Sequence, residues 1–147
     1  MTEVAFHFGA PDRLAYTCRL LRKATATGAR LLVRGYADEL VALDSALWNV
    51  GASDFVSHCD AAAPPAMRSR SAVLLLNADA VLDPAFPILV NLADDVPDDF
   101  AQFQRVIEIV STDEQDRNQA RLRWKHYTGS GYTITRHDLK SRPGEAA

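Results

Sequence analysis

A chain of 147 residues and 16.2 kDa has the size of one domain and can bury roughly 68–70% of the surface that its unfolded form exposes. Apolar residues make up 48% and charged residues 24%, close to the globular average, which excludes a disordered or fibrous chain. The formal charge is −3, which argues against affinity for nucleic acid through general phosphate neutralisation, so any connection to DNA is expected to be indirect.

Met1-Thr2-Glu3-Val4 lacks a basic start followed by an apolar run, and no stretch approaches the ~18 apolar residues of a membrane span. A cytoplasmic location is the expectation. Cys18 and Cys59 are far apart and outside any C-x-x-C pair, so they read as structural thiols rather than as a zinc site or a disulfide framework.

Val4-Ala5-Phe6-His7-Phe8 predicts a first strand, stopped at Gly9-Ala10-Pro11-Asp12, where turn residues cluster. From Arg13 the apolar positions Leu14, Cys18, Leu21 and Ala24 recur at helical steps, with Asp12 able to cap the start and Gly28 the end. Leu31-Leu32-Val33 is a short apolar run, and Asp38 to Trp48 returns to helical spacing through Leu40, Leu43 and Leu47. This β-α-β-α order predicts a mainly parallel sheet covered on both faces, because parallel neighbours need crossover connections that helices supply.

Further along, Phe55-Val56 reads as a weak strand, Ala61 to Ser71 as a loop, and Ala72 to Leu76 and Ile88-Leu89-Val90 as strands. Pro97-Asp98-Asp99 opens a helical turn over Phe100 to Phe103, Val106 to Val110 is a strand, and the last long helix runs from about Asp113 to Thr128. Tyr132-Thr133-Ile134-Thr135 follows as a final strand. Residues 1–140 are expected to form a single domain, and residues 141–147, with Pro143 and Gly144, a flexible polar tail.

An α/β sheet invites a nucleotide site, and a small enzyme acting on a nucleotide or phosphorylated substrate is the alternative reading. The first strand-helix turn holds only Gly9, however, and neither G-x-G-x-x-G nor G-x-x-x-x-G-K-[ST] occurs. Nor is there G-x-S-x-G or H-E-x-x-H. No catalytic residue, cofactor or metal is expected. Asp94, Asp95, Asp98 and Asp99 could hold a hard cation such as Mg²⁺, but two of them follow Pro97 at a helix start. Negative charge is favoured there by ~0.3–1 kcal/mol each, and this is the preferred account. His7, His58, His126 and His137 are scattered.

Charge is uneven along the chain. Residues 1–100 carry 8 basic and 13 acidic groups, whereas residues 117–142 carry seven basic groups (Arg117, Arg121, Arg123, Lys125, Arg136, Lys140 and Arg142) against Asp138 alone. Arg117, Arg121 and Lys125 recur every four residues, so they lie along one side of the last helix, with Trp124 on a neighbouring line. Like charges so spaced repel by roughly a few tenths of a kcal/mol, which packing or an anionic partner must offset. Spacing alone favours a solvated basic face with Trp124 tucked into the core.

The run RVIEIVSTDEQDRNQARLRWKHYTGSGYTITRHD at 105–138, with LDSALWN at 43–49 and DFVSH at 54–58, resembles the chi subunit of bacterial DNA polymerase III holoenzyme. The likeness covers nearly the whole chain. Its most specific part is A-R-x-R-[aromatic]-K-x-Y followed shortly by G-[aromatic]. The resemblance implies a three-layer α/β/α sandwich, Rossmann-like but without the nucleotide-binding glycines. It also implies a non-catalytic accessory protein of the clamp-loader assembly that grips the acidic C-terminal tail of single-stranded DNA-binding protein.

In that family basic side chains meet the tail's carboxylates, and its last phenylalanine enters an apolar pocket beside the strand before the helix. Carried onto this sequence, Val110 belongs to the pocket, Arg117, Arg121 and Lys125 are the basic contacts, and Trp124 is an aromatic wall. Trp48 and Phe55 fall at family positions that contact the psi subunit or, alternatively, an XPD-like helicase. Pattern alone leaves open that both rings fill the core. Ser57 departs from the family, which has proline at that position of D-F-V-x-H, and a stiff turn is thereby lost.

Overall fold

The computed structural model describes residues 2–49 and 56–139. Within them the chain runs β1 (Glu3–Ala10), α1 (Arg13–Ala26), β2 (Leu31–Gly35), α2 (Ala37–Trp48), β3 (His58–Asp60), α3 (Pro65–Arg70), β4 (Val73–Asn77), β5 (Ile88–Asn91), a 3₁₀ turn (Phe100–Gln102), β6 (Arg105–Ser111), α4 (Glu114–Gly129) and β7 (Ile134–Asp138). The strands form one seven-stranded sheet in the order β3-β4-β2-β5-β6-β1-β7, and every pairing is parallel.

Because strand side chains alternate between faces, the apolar residues divide into two cores. Val4, Phe6, Leu32, Leu74, Leu89, Val106 and Val110 pack with Ala120 and Tyr127 of α4. Their strand neighbours Leu31, Val33, Val73, Leu75, Val90, Ile107 and Ile109 pack with Cys18 and Leu21 of α1 and Leu43 and Leu47 of α2. The sheet is therefore the middle of three α/β/α layers. Cys18 and Cys59 belong to different cores, and both are free, buried thiols. Burial pushes the Cys18 thiol up from its ordinary value.

Local chemistry sets the element ends. Asp12 caps α1 by accepting a bond from the Ala15 amide at 3.1 Å, and Gly28 after the helix takes φ +88°, a left-handed conformation open to glycine. Three boundaries differ from the sequence expectation. The loop expected over 61–71 contains the short helix α3, which begins at Pro65, where a missing N–H costs nothing.

The final strand starts at Ile134, not Tyr132. The Tyr132 amide is still closing α4 by donating to the Tyr127 carbonyl at 3.0 Å, across Gly131 at φ +89°. The weak strand expected at Phe55-Val56 is displaced to His58–Asp60. Phe55 lies outside the described residues, as do residues 141–147 of the expected tail. No helix among the described residues is long and apolar enough to cross a membrane.

Candidate functional site

The helix α4 is fixed at both ends of its inner face. Asp113 caps it by accepting from the Asp116 amide at 3.1 Å, and Asp116 in turn accepts from the Ser111 amide at 2.8 Å, tying the helix start to the end of β6. Arg13 of α1 bridges Asp116 at 3.4 Å and Glu39 of α2 at 2.7 Å. Burial raises the Glu39 carboxyl, and the Arg13 charge opposes that rise.

Further along α4, Arg123 Nε donates to Glu108 Oε1 at 2.9 Å and Tyr127 Oη to Glu108 Oε2 at 2.7 Å. Glu108 interrupts an otherwise apolar strand at a position facing α4, and its side chain is wholly buried. Burial raises its carboxyl above the usual carboxylate range, opposed by the Arg123 charge and by the bonds it accepts. Burial, together with the Glu108 charge, likewise drives the Tyr127 hydroxyl upward.

The same network continues across the sheet. Asn91 Nδ2 donates to Glu108 Oε2 at 3.0 Å, Arg34 Nη1 to Asn91 Oδ1 at 3.0 Å, and Arg34 Nη2 to Asp95 Oδ1 at 2.9 Å. Arg123, counted among the basic residues of the C-terminal segment, is thus a structural cation. The sequence signal for it is a lone glutamate inside Val106-Ile107-Glu108-Ile109-Val110.

With Ala120, Arg123 and Tyr127 facing the sheet, the helical period turns Arg117, Arg121 and Lys125 toward the carboxyl edge of β1 and β6. A cavity of about 490 Å³ lies there, lined by Val110, Arg117, Arg121, Trp124 and Lys125 together with Phe8, Gly9, Ala120, Arg136 and Asp138. All five residues expected from the sequence at one site border this single groove. Val110 and Ala120 are buried and supply apolar floor. Crevices at the carboxyl edge of parallel strands are the usual place for ligands in such sheets.

Trp124 is half-buried and is both core and wall. Its ring packs in tilted contact 5.1 Å from Phe6 and 5.9 Å from Phe8, centroid to centroid, and Trp124 also borders the groove. Arg117 and Arg121 are exposed, as is Lys125, and Arg121 Nη1 donates to Asn118 Oδ1 at 2.6 Å. Among the described residues no carboxylate forms an ion pair with Arg117, Arg121, Lys125 or Arg136. Arg136 and Phe8 are site residues that sequence reasoning missed, because they come from β7 and β1 and meet α4 only through the strand order.

Trp48, at the end of α2, is 60% exposed, so it does not fill the core. Its ring lies 5.1 Å from that of His58. The buried His58 imidazole places Nε2 3.0 Å from Asp44 Oδ1 and Nδ1 2.7 Å from the Val56 carbonyl oxygen, which fixes the platform under the indole. Ser57 has its own means of stiffening the chain: its Oγ accepts from the Ala72 amide at 2.9 Å, beside carbonyl bonds from Ala72 and Val73.

The aspartates at 94–99 behave differently from the helix-start account. Asp95 pairs with the buried Arg34, and Asp98 and Asp99 precede only a single 3₁₀ turn with no side-chain cap, so little dipole is available there. Among the described residues no three His, Cys, Asp or Glu side chains converge as metal ligands.

Fold and groove together define an α/β/α domain with a cationic, aromatic-walled cleft at the carboxyl edge of an all-parallel sheet. The family model described as DNA polymerase III chi subunit, HolC, matches residues 1–135. The chain belongs to this family, whose members are accessory and not catalytic subunits of the polymerase holoenzyme. It is 30% identical over 149 residues to the DNA polymerase III subunit chi of Pseudomonas aeruginosa, covering 95% of this chain and 98% of that one. The C-terminal domain of the DEAD-box protein Dbp5 shares the fold, with a TM-score of 0.63 at 15% identity over 99% of this chain and 94% of that one.

Proposed function

We propose that this chain holds the acidic C-terminal tail of single-stranded DNA-binding protein in the groove between α4 and the β1–β7 edge, and links it through psi to the clamp loader of the polymerase III holoenzyme. The observation that carries the reading is the convergence of Arg117, Arg121 and Lys125 with Val110 and Trp124 on one cavity. Successive cations along α4 are about 6 Å apart, close to the ~6.5–7 Å between alternate residues that share one face of an extended peptide. Guanidinium groups bind carboxylates through charge-assisted, often bidentate bonds.

The apolar floor takes the tail's terminal phenyl ring, whose burial is worth ~1.5–3 kcal/mol, while ordering a flexible tail offsets part of the gain. Micromolar affinity with marked salt dependence follows. DNA is contacted only through the partner, in the cytoplasm, with residues 1–140 acting as one domain. The second partner, psi or an XPD-like helicase, is taken at Trp48 and, by the resemblance to the family, Phe55.

Calorimetric titration with an acidic tail peptide, a nucleotide and a bare oligonucleotide tests the reading. The peptide alone is expected to bind. Binding of the nucleotide without the peptide would replace this reading with that of a small α/β enzyme.

A further inference from the structure

The buried face of α4 is tied to side chains that lie well away from the groove. Arg123 and Tyr127 both bind Glu108 of β6. Glu108 Oε2 also accepts from Asn91 Nδ2 at 3.0 Å, and Asn91 Oδ1 accepts from Arg34 Nη1 at 3.0 Å. A second branch reaches the same helix through the loop after β5. Arg34 donates to the Asp95 carbonyl at 3.2 Å and to Asp95 Oδ1 at 2.9 Å, while Arg123 Nη1 donates to the carbonyl of the adjoining Asp94 at 3.0 Å. Arg123 Nη2 finds no partner among the described residues, so the guanidinium is held by Glu108 and the Asp94 carbonyl. Arg34, Asn91, Glu108 and Arg123 are all buried, and none of them lines the groove.

We infer that Arg34, through Asn91 and Asp95, is a positioning residue for the groove, fixing where α4 holds Arg117, Arg121, Trp124 and Lys125 against the β1–β7 wall; this rests on the tail-binding reading above. A buried ionic network seldom adds stability that apolar side chains of similar volume would not supply. What it adds is direction. Apolar contact lets a helix slide or roll on a sheet, whereas a closed set of bonds near 3 Å selects one axial and rotational setting. Trp124 and Lys125 directly follow Arg123, and Arg121 is two residues before it, so a shift of Arg123 moves the whole groove wall. Arg34 is the remote end of the chain, on β2, separated from β6 by β5. Its replacement leaves the Glu108–Arg123 pair in place, Asn91 Oδ1 keeps its bond from the Ala93 amide at 3.2 Å, and the Asp95 side chain is 69% exposed, so no charge is stranded in the core.

The test compares the full-length wild type with Arg34→Met, Arg34→Lys and Val33→Ala, each checked for folding by circular dichroism. Val33 adjoins Arg34 on β2 but belongs to the opposite core, so it reports lost stability without touching the network. In calorimetric titration with an aspartate-rich peptide ending in phenylalanine, Arg34→Met is expected to bind about three- to tenfold more weakly than the wild type, Arg34→Lys in between, and Val33→Ala within about twofold of the wild type. In the peptide-free protein the Trp124 indole N–H resonance is expected to move in Arg34→Met and to stay in Val33→Ala. Should Arg34→Met not fold, Asp95→Ala removes an exposed side chain of the same network and is expected to weaken binding in the same direction.

Binding by Arg34→Met, or by Asp95→Ala in its place, within about twofold of the wild type overturns the assignment, as does an equal loss in Val33→Ala. Failure of the wild type to bind the peptide overturns the tail-binding reading instead, and a Trp124 resonance unmoved in Arg34→Met then overturns the positioning role as well.

Discussion

Arg123 donates to the buried Glu108 at 2.9 Å, while Arg121, two residues earlier in the same helix turn, lines the groove. The motif R-L-R-W-K thus divides its cations by helical angle: one locks α4 to β6, and its neighbours remain available to an anion. Removing either partner of the buried pair, as in Glu108→Gln or Arg123→Met, is expected to cost ~3–5 kcal/mol, because the remaining group is left without its counter-charge. The double substitution is expected to cost less than the sum of the singles. Urea denaturation of the four proteins checks both statements, and additive losses would contradict the coupling.

The groove cations are solvent-exposed and carry no ion pair among the described residues, so their attraction for an acidic peptide is open to screening. Raising the ionic strength is expected to weaken tail-peptide binding steadily, with a shallower dependence for Arg117→Ala and Lys125→Ala than for the wild type. Titrations at several salt concentrations measure the slopes. Identical slopes in all three proteins would place the contacts elsewhere.

Much of this architecture was legible in the residues alone. Short continuous apolar runs and helical spacing located the sheet and its covering layers, since burial on two faces leaves wholly apolar strands such as Val73–Leu76. The α4 strip was visible because its cations repeat every four residues. What the sequence hid was long-range: Phe8 and Arg136 join the groove only because β1 lies between β6 and β7. The split between Arg123 and Arg121 likewise depends on which side of α4 meets Glu108. Local propensity also misjudged Pro65–Arg70, where the proline that suggested a loop is the first residue of a helix.

Trp48 is exposed and rests on His58, so its truncation removes a contact surface rather than core. Trp48→Ala is expected to change unfolding stability by less than about 1 kcal/mol while abolishing co-purification with psi, as loss of an aromatic anchor does. A large fall in stability with psi binding retained would return the indole to a structural role.

Ser57 replaces a stiff residue with a hydrogen bond from the Ala72 amide to its Oγ. Ser57→Ala is expected to destabilise the protein by only ~0.5–1.5 kcal/mol, since the Ala72 amide keeps its bond to the Ser57 carbonyl at 3.1 Å. Thermal or urea unfolding measures the change, and a much larger loss would mean that the hydroxyl holds more than this turn.

The most direct test of the central claim is calorimetric titration of the acidic tail peptide into the wild type and Arg121→Ala, with both confirmed folded. Loss of the guanidinium at the middle of the α4 strip is expected to weaken binding by about tenfold or more. Equal affinities in the two folded proteins would show that the peptide is not held along this face of α4.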